Sequence, residues 1–83
     1  MKHAGPVTLE RLKNFLDGLR KIPGLVERRP GTFYRKSKAF LHFHEDPTGV
    51  FADVRLDGNE FERIAVNNSQ EQMALLDRIR LSI

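Results

Sequence analysis

The segment AFLHFHEDPTGVFADVRL, residues 39–56, predicts two strands joined by a tight turn and thereby decides the fold. The tetrapeptide DPTG at residues 46–49 is typical of a turn, because aspartate opens it, proline presets φ and glycine tolerates a positive φ. The flanking residues alternate in the way that antiparallel strands with one covered face do. We therefore predict strands over residues 39–45 and 50–56.

The turn also predicts the register of these two strands. A tight turn places Glu45 opposite Val50 and His42 opposite Asp53. Opposed Cβ atoms lie about 4.5–5.5 Å apart, so His42 and Asp53 are within reach of a direct hydrogen bond. One face of the pair is apolar and is expected to be covered by helices. The other face carries six side chains, those of Phe40, His42, His44, Phe51, Asp53 and Arg55.

The chain before this pair predicts a helix over residues 8–21. Its leucines follow a 3-4-3 spacing that places them in one apolar stripe. Thr8 is the expected N-cap, because its hydroxyl can accept an orphan backbone N–H. Pro23 and Gly24 then end the helix.

Further β-prone segments lie at residues 25–28, 32–36 and 60–66. Ser37-Lys38 is the expected tip of one hairpin, and Asp57-Gly58 is typical of a type I′ turn. Ser69, with Gln72 three residues later, fits a capping box and predicts a second helix that runs to the end of the chain.

This order of elements predicts an α+β domain. It consists of a helix, an antiparallel β-meander of four or five strands and a second helix, with both helices packed on one face of the sheet. A chain of 83 residues is one small domain, spanning residues 1–83, and we expect residues 1–6 to be flexible. Because so small a domain has little core, we expect shallow surface sites or sites shared between subunits.

Composition excludes several classes of function. The chain has no cysteine, which excludes disulfides, thiol catalysis and cysteine-bound zinc. We find no P-loop, no dinucleotide-binding glycine motif and no nucleophile elbow. No apolar run is long enough for a membrane span, and the N-terminus lacks the apolar stretch of a signal peptide. We expect a cytoplasmic protein that does not bind membranes.

Charge is unevenly distributed along the chain. Residues 1–38 hold ten Lys or Arg and three acidic residues, whereas residues 39–83 hold four Arg and eight acidic residues. Such asymmetry indicates either a nucleic-acid surface or two halves that attract one another. Cations interleaved with aromatic residues are typical of single-strand binding, and the candidate residues are Arg28, Arg29, Arg35, Lys36, Lys38 and Tyr34. A cationic strand edge also protects against edge-to-edge aggregation.

His42, His44 and Asp53 form the candidate metal site. Imidazoles at i and i+2 on one strand can converge on one ion, and a carboxylate on the next strand adds a third ligand. Three ligands with an open position are the pattern of catalytic zinc rather than structural zinc. The chain lacks an HExxH motif, so apart from this divalent metal we expect no cofactor.

The same face also admits a simpler interpretation, a solvated sheet surface. Phe40 and Phe51 on a nominally wet face, with Arg55 beside them, favour an interaction face for a protein partner or for a second copy of the chain.

Three stretches carry a resemblance to a known family: IPGLVER at residues 22–28, FLHFHED…GVFADVR and the closing LLDRIRLSI. They resemble the short bacterial domains of uncharacterised function labelled "luciferase family", which carry a similar His-x-His strand; the match covers about residues 16–83. More distantly, the order of elements is similar to MmcQ/YjbR-like domains, for which DNA binding has been suggested. The resemblance implies a fold but no reaction, and only His42 and His44 match a motif.

From these observations we expect a non-enzymatic binding module of uncharacterised role that uses its open sheet face. Nucleic-acid binding through residues 20–38 is the first alternative. A metal-dependent activity at His42, His44 and Asp53 is the second.

Overall fold

The computed structural model describes residues 2–83, which form three helices and a six-stranded antiparallel sheet. In chain order the elements are β1 (Lys2–His3), α1 (Pro6–Arg11), α2 (Lys13–Arg20), β2 (Leu25–Arg29), β3 (Thr32–Arg35), β4 (Lys38–Asp46), β5 (Gly49–Val54), β6 (Glu62–Ala65) and α3 (Ser69–Ser82). The predicted α+β class is confirmed. Within the described range, no helix is both long and apolar enough to cross a membrane.

The strand order of the sheet is β2-β3-β4-β5-β6, with β1 paired to β4 outside this path. Strand β3 pairs only with the first part of β4, from Arg35↔Lys38 to Phe33↔Leu41. Beyond that point the edge of β4 is taken up by β1, where His3 lies opposite His44. The long β4 therefore has two different neighbours along one edge.

The register predicted for the β4–β5 hairpin is confirmed. Glu45 lies opposite Val50, and His42 lies opposite Asp53. The Oδ1 atom of Asp46 accepts a hydrogen bond from the Thr48 N–H at 2.8 Å, which closes the turn. Because the register is fixed, so is the set of side chains on each face of the sheet.

The core lies between one face of the sheet and the helices. Buried residues of α2 and α3 form one cluster with alternate residues of the central strands; among its fully covered members are Leu19, Phe33, Leu41, Val54, Leu75 and Ile79. Helices α2 and α3 contact each other, and α2 contacts β2. This face of the sheet is thus filled, which leaves the opposite face for any site.

The first helix differs from the prediction of one helix over residues 8–21. It is two helices joined at Leu12, whose backbone has φ −90° and ψ 8° and whose N–H is shared between the Thr8 and Leu9 carbonyls. The helix starts earlier, with Pro6 in its first turn, so the prediction of Thr8 as N-cap is wrong. Proline suits this position, because the missing N–H would have no helical partner.

The last helix is capped one residue earlier than predicted. Asn68 rather than Ser69 is the N-cap, and its side chain accepts from the Glu71 N–H at 2.8 Å. Glu71 reaches back and accepts from the Asn67 N–H at 2.8 Å. This reciprocal pair satisfies two N–H groups at the helix start, as a capping box does.

Both short turns also differ from their predictions. The β3–β4 turn has its tip at Lys36-Ser37, and these residues have φ of 52° and 68°. Positive φ at both central positions is what a type I′ turn requires, and Asn-Gly is the sequence it favours. At Asp57-Gly58 only glycine has a positive φ, because Asp57 instead accepts hydrogen bonds from the Asn59 and Glu60 N–H groups.

Glu27 on β2 ties together the first helix pair and the first hairpin. Its carboxylate accepts from Arg20 Nε at 2.6 Å and from the Gly31 N–H at 2.9 Å. Gly31 has φ +77°, and a Cβ there would lie 2.7 Å from a methyl carbon of Leu9, so this turn requires glycine. The Arg20 hydrogen bond, with help from Gly31, lowers the pKa of Glu27.

The β3–β4 turn generates a stability prediction. The double substitution Lys36→Asn/Ser37→Gly should raise the free energy of unfolding by roughly 0.5–1 kcal/mol, because the new residues adopt positive φ with less strain. Urea unfolding measures this. Lys38 lies just outside the two positive-φ positions, so Lys38→Asn should not raise the free energy of unfolding. An equal gain from both variants would contradict the backbone explanation.

Glu27 generates a prediction of pH dependence. Because its folded pKa is lowered, its stabilisation is complete above the ordinary glutamate pKa of about 4.3 and is lost as the pH falls through the folded value. The stability difference between the wild type and Glu27→Gln should therefore be constant above about pH 5 and shrink below about pH 4. Arg20→Met should reproduce this shrinkage. Urea unfolding from pH 7 to 3 measures both, and a difference that stays constant to pH 3 would rule out the pair.

Candidate functional site

Three imidazoles converge on the open face of the sheet. His42 and His44 are two residues apart on β4, so their side chains project to the same side of the sheet. Strand β1 adds His3 beside His44. One nitrogen from each ring lies within 4.8 Å of the other two. His42 Nδ1 and His44 Nε2 are 2.9 Å apart, close enough to share a proton. We call these three residues the histidine cluster.

His3 was not among the candidate residues, and the structure shows what places it there. The Ala4 N–H donates to the Phe43 carbonyl at 3.0 Å, and the Gly5 N–H donates to Glu45 Oε2 at 2.9 Å. These bonds hold the N-terminal segment along the part of β4 that β3 leaves unpaired. A strand of two residues is too short to show a hydrophobic period. The only sequence signal for β1 was the length of β4, which leaves part of its edge without a partner from β3.

Asp53 lies against the cluster but is already bound. Both carboxylate oxygens accept from Arg63, with Oδ1 2.8 Å from Nε and Oδ2 2.9 Å from Nη2. Oδ2 is 3.3 Å from His44 Nε2 and 4.0 Å from His42 Nδ1. The expected direct hydrogen bond from His42 to Asp53 is therefore not formed, although the two residues are opposite each other. The 4.0 Å separation is too long for one.

The environment sets the charge state of these groups. Hydrogen bonding to Arg63 lowers the pKa of Asp53, which keeps the carboxylate ionised. Burial, followed by the neighbouring His44, lowers the pKa of His42. Burial also lowers the pKa of His44, although the Asp53 carboxylate opposes it. Imidazoles with pKa values below 6.5 are uncharged at neutral pH, which is the form that binds metals.

Two residues of the open face, Arg63 and Phe61, were missed by sequence analysis. The Phe61 ring lies 5.1 Å from the His42 ring, and the Arg55 guanidinium lies 4.4 Å above the Phe61 ring. Arg63 lies opposite Asp53 in the β5–β6 pairing. Arg63 lies in β6 and Phe61 immediately precedes that strand, and the connection between Val54 and Glu62 gave no sequence signal for either position. Phe61 is 42% exposed.

The predicted interaction face is only partly available. Phe51 is half-buried and pairs across from His44. Phe40, however, is only 3% exposed and belongs to the buried cluster, so it is not an accessible part of such a face. It lies where the pairing of β3 with β4 skips a residue, between Leu41 and Ala39. Such an irregularity changes local side-chain direction, which simple alternation does not capture.

The basic segment divides between two places. The Arg28 guanidinium lies 4.6 Å above the Tyr34 ring, so this ring face already has a cation stacked on it. Arg35, Lys36 and Lys38 lie together at the β3–β4 turn. Arg29 lies at the end of β2, and lines a groove together with Tyr34 and His42. Apart from Arg28, the candidate nucleic-acid residues thus line two cavities, one with Arg35, Lys36 and Lys38 and one with Arg29 and Tyr34.

Comparison of the chain with protein-family models, curated proteins and solved structures found no match. The resemblance to the "luciferase family" domains and to MmcQ/YjbR-like domains therefore stays a prediction.

The Asp53–Arg63 pair generates a prediction that tests whether this ion pair stabilises the fold. Arg63→Ala should lower the melting temperature at pH 8, because it leaves a carboxylate that is only 8% exposed without its cation. The double variant Asp53→Asn/Arg63→Ala should have a smaller decrease in melting temperature, because no unpaired buried charge remains. Thermal unfolding followed by circular dichroism measures both.

Arg78→Ala is the matched control, because Arg78 forms an exposed pair with Glu62 at 3.2 Å. Exposed pairs of this kind contribute little, so the control should melt close to the wild type. If Arg63→Ala had the same melting temperature as the Arg78→Ala control, the Asp53–Arg63 pair would not stabilise the fold.

Proposed function

We propose that this domain is a binding module whose open sheet face holds a divalent transition metal ion, with zinc as the reference case, through His3, His42 and His44. The observation that carries the proposal is the convergence of three imidazole nitrogens within 4.8 Å. Nitrogen ligands of this type suit zinc and its neighbours in the transition series.

The spacing of the cluster fits a single ion. Zinc–nitrogen bonds of about 2.0–2.1 Å at tetrahedral angles separate two ligand nitrogens by about 3.3 Å. His42 Nδ1 and His44 Nε2 are 2.9 Å apart, so a small ring rotation brings both onto one ion. The ring centroids of His3 and His44 are 4.6 Å apart, which places the third ligand within similar reach.

This ligand set replaces the one expected from the sequence, which contained Asp53 instead of His3. Both oxygens of Asp53 are engaged by Arg63, so direct coordination would require that pair to break. Asp53 Oδ2 lies beside the two nitrogens that would bind the ion, 3.3 Å from His44 Nε2 and 4.0 Å from His42 Nδ1, so its charge would act on the ion at short range without contacting the second nitrogen of His44.

The affinity should be moderate. A metal-binding histidine usually donates its second ring N–H to a carboxylate or carbonyl, and losing that partner costs roughly 10–100-fold in affinity. His44 Nδ1 is buried, and within residues 2–83 it has no hydrogen-bond partner. We therefore expect affinity for zinc in the micromolar range rather than the far tighter binding of structural zinc sites.

Three protein ligands leave one position of a tetrahedral ion open. On an open sheet face that position is accessible to a donor group of a protein partner or of a second copy of the chain. The half-buried Phe51 and the exposed Phe61 border the cluster and would add apolar contact area. The nearby carboxylate, Asp53, is occupied by Arg63 and is thus poorly placed to serve as a general base, which favours binding over hydrolysis.

Titration of tag-free protein with Zn²⁺ tests the proposal. Calorimetry should show one ion per chain, and nuclear magnetic resonance of ¹⁵N-histidine-labelled protein should show shifts on all three rings. His42→Gln or His44→Gln should weaken binding at least about 100-fold and His3→Gln by about 10-fold, because each removes one ligand. The chain has three histidines in total, so other imidazoles do not complicate the result.

Asp53→Asn distinguishes the two ligand sets. It should retain binding within about 10-fold, as expected for a neighbour rather than a ligand. Loss of binding in Asp53→Asn, with retention in His3→Gln, would instead favour the set predicted from the sequence. Absence of saturable binding at millimolar zinc would end the proposal altogether.

A further inference from the structure

A second cavity opens at the other end of β4, away from the histidine cluster. It lies between the β3–β4 turn and the connection that follows β5, and its volume is about 240 Å³. Its lining residues are Arg35, Lys36, Lys38, Ala39, Phe40, Arg55 and Gly58. Four of these seven residues are cationic and none is acidic, so we call it the cationic cavity.

The charges around this cavity are not compensated within the fold. None of the four cations has a carboxylate oxygen within 4.0 Å in the part of the chain that the structure describes, whereas Arg20, Arg63 and Arg78 each do. Asp57, on the adjoining connection, accepts hydrogen bonds from backbone N–H groups of its own loop. Like charges that share one cavity repel each other unless an anion is bound there.

Arg55 provides an independent observation. Its guanidinium is held over the Phe61 ring at 4.4 Å, yet its Nε is buried and has no hydrogen-bond partner within residues 2–83. A buried unsatisfied N–H is destabilising, and in native proteins it calls for an explanation such as a bound ion. Arginine recognises oxyanions through its planar fork, and stacking on Phe61 reduces the conformational freedom that Arg55 would lose on binding one.

The conformation of the β3–β4 turn, which borders the cavity, also supports an anion site. Lys36 occupies a position with φ 52°, which favours asparagine or glycine. Backbone strain of this kind concentrates at functional sites, where the function of the side chain outweighs the energetic cost of the strained backbone. Here the strained residue is a cation beside three others.

We propose that the cationic cavity binds a phosphate or diphosphate group. Arg and Lys are the side chains that recognise phosphate oxygens, Arg through its fork and Lys as a point charge. The volume lies just below the range of about 300–1,000 Å³ for sites that enclose a drug-sized ligand, so the cavity suits the phosphate end of a molecule. Phe40 and Ala39 supply an apolar floor for the adjoining atoms of an ester.

Two sources carry this chemistry, a free diphosphate and the phosphate backbone of a single-stranded nucleic acid. The test titrates ¹⁵N-labelled protein with sodium diphosphate and, separately, with a short oligothymidylate, at constant ionic strength and with EDTA present. EDTA keeps the result independent of metal at the histidine cluster. Amide shifts should be saturable and should concentrate at residues 35–40 and 55–58.

The variant Lys36→Ala/Lys38→Ala removes two exposed cations from the cavity and should weaken binding at least about tenfold. Lys13→Ala/Lys21→Ala is the matched control, because it removes two exposed lysines of the same charge from the α2 region. It should change binding by less than about threefold, as expected from bulk charge alone.

Each outcome decides something. Diphosphate binding that depends on Lys36 and Lys38 supports the site with a small molecule as its ligand. Binding of the oligonucleotide alone, with the same dependence, supports the site with a nucleic-acid backbone as its source. Equal losses in both lysine pairs, or no saturable shift with either probe, would overturn the proposal.

Discussion

The structure depends on the difference in length between β4 and its neighbour β3. Strand β4 has nine residues and β3 has four, so one edge of the longest strand cannot be paired along its whole length by the meander. Unpaired backbone groups at the centre of a sheet are costly. The N-terminal segment satisfies them as β1, and in doing so it carries His3 to His44.

The same strand organises the rest of the molecule. Leu41 and Phe43 project from β4 into the core, while His42 and His44 project from the opposite face. Its first residues, Lys38 and Ala39, line the cationic cavity. The neutral imidazole cluster and the uncompensated cations are therefore two regions of one strand, separated by only a few residues.

Few close ion pairs join the two halves of the chain, although the halves carry opposite net charge. Among the ion pairs of residues 2–83, only Lys2 with Glu45, at 3.9 Å, joins residues 1–38 to residues 39–83. The other pairs, such as Arg20 with Glu27 and Arg63 with Asp53, lie within one half. The surplus cations of the first half thus remain free for interactions outside the fold.

How much could be predicted from the sequence depended on how local the signal was. The turn at residues 46–49 fixed the β4–β5 register, because two strands joined by a tight turn have little freedom. The tight turn expected at Asp57-Gly58 did not form, and a connection of several residues separates Val54 from Glu62, so the β5–β6 register was not predicted and Arg63 was missed. The leucine spacing showed the face of the first helix but not its break at Leu12.

The pairing of β1 has a consequence for how the protein could be regulated. An ion bound by His3 and by His44 would be thermodynamically linked to the docking of β1 on β4. A strand from another polypeptide that added to this edge of β4 would compete with β1 and displace the third imidazole. Strand exchange would then weaken ion binding, because only His42 and His44 would remain as ligands.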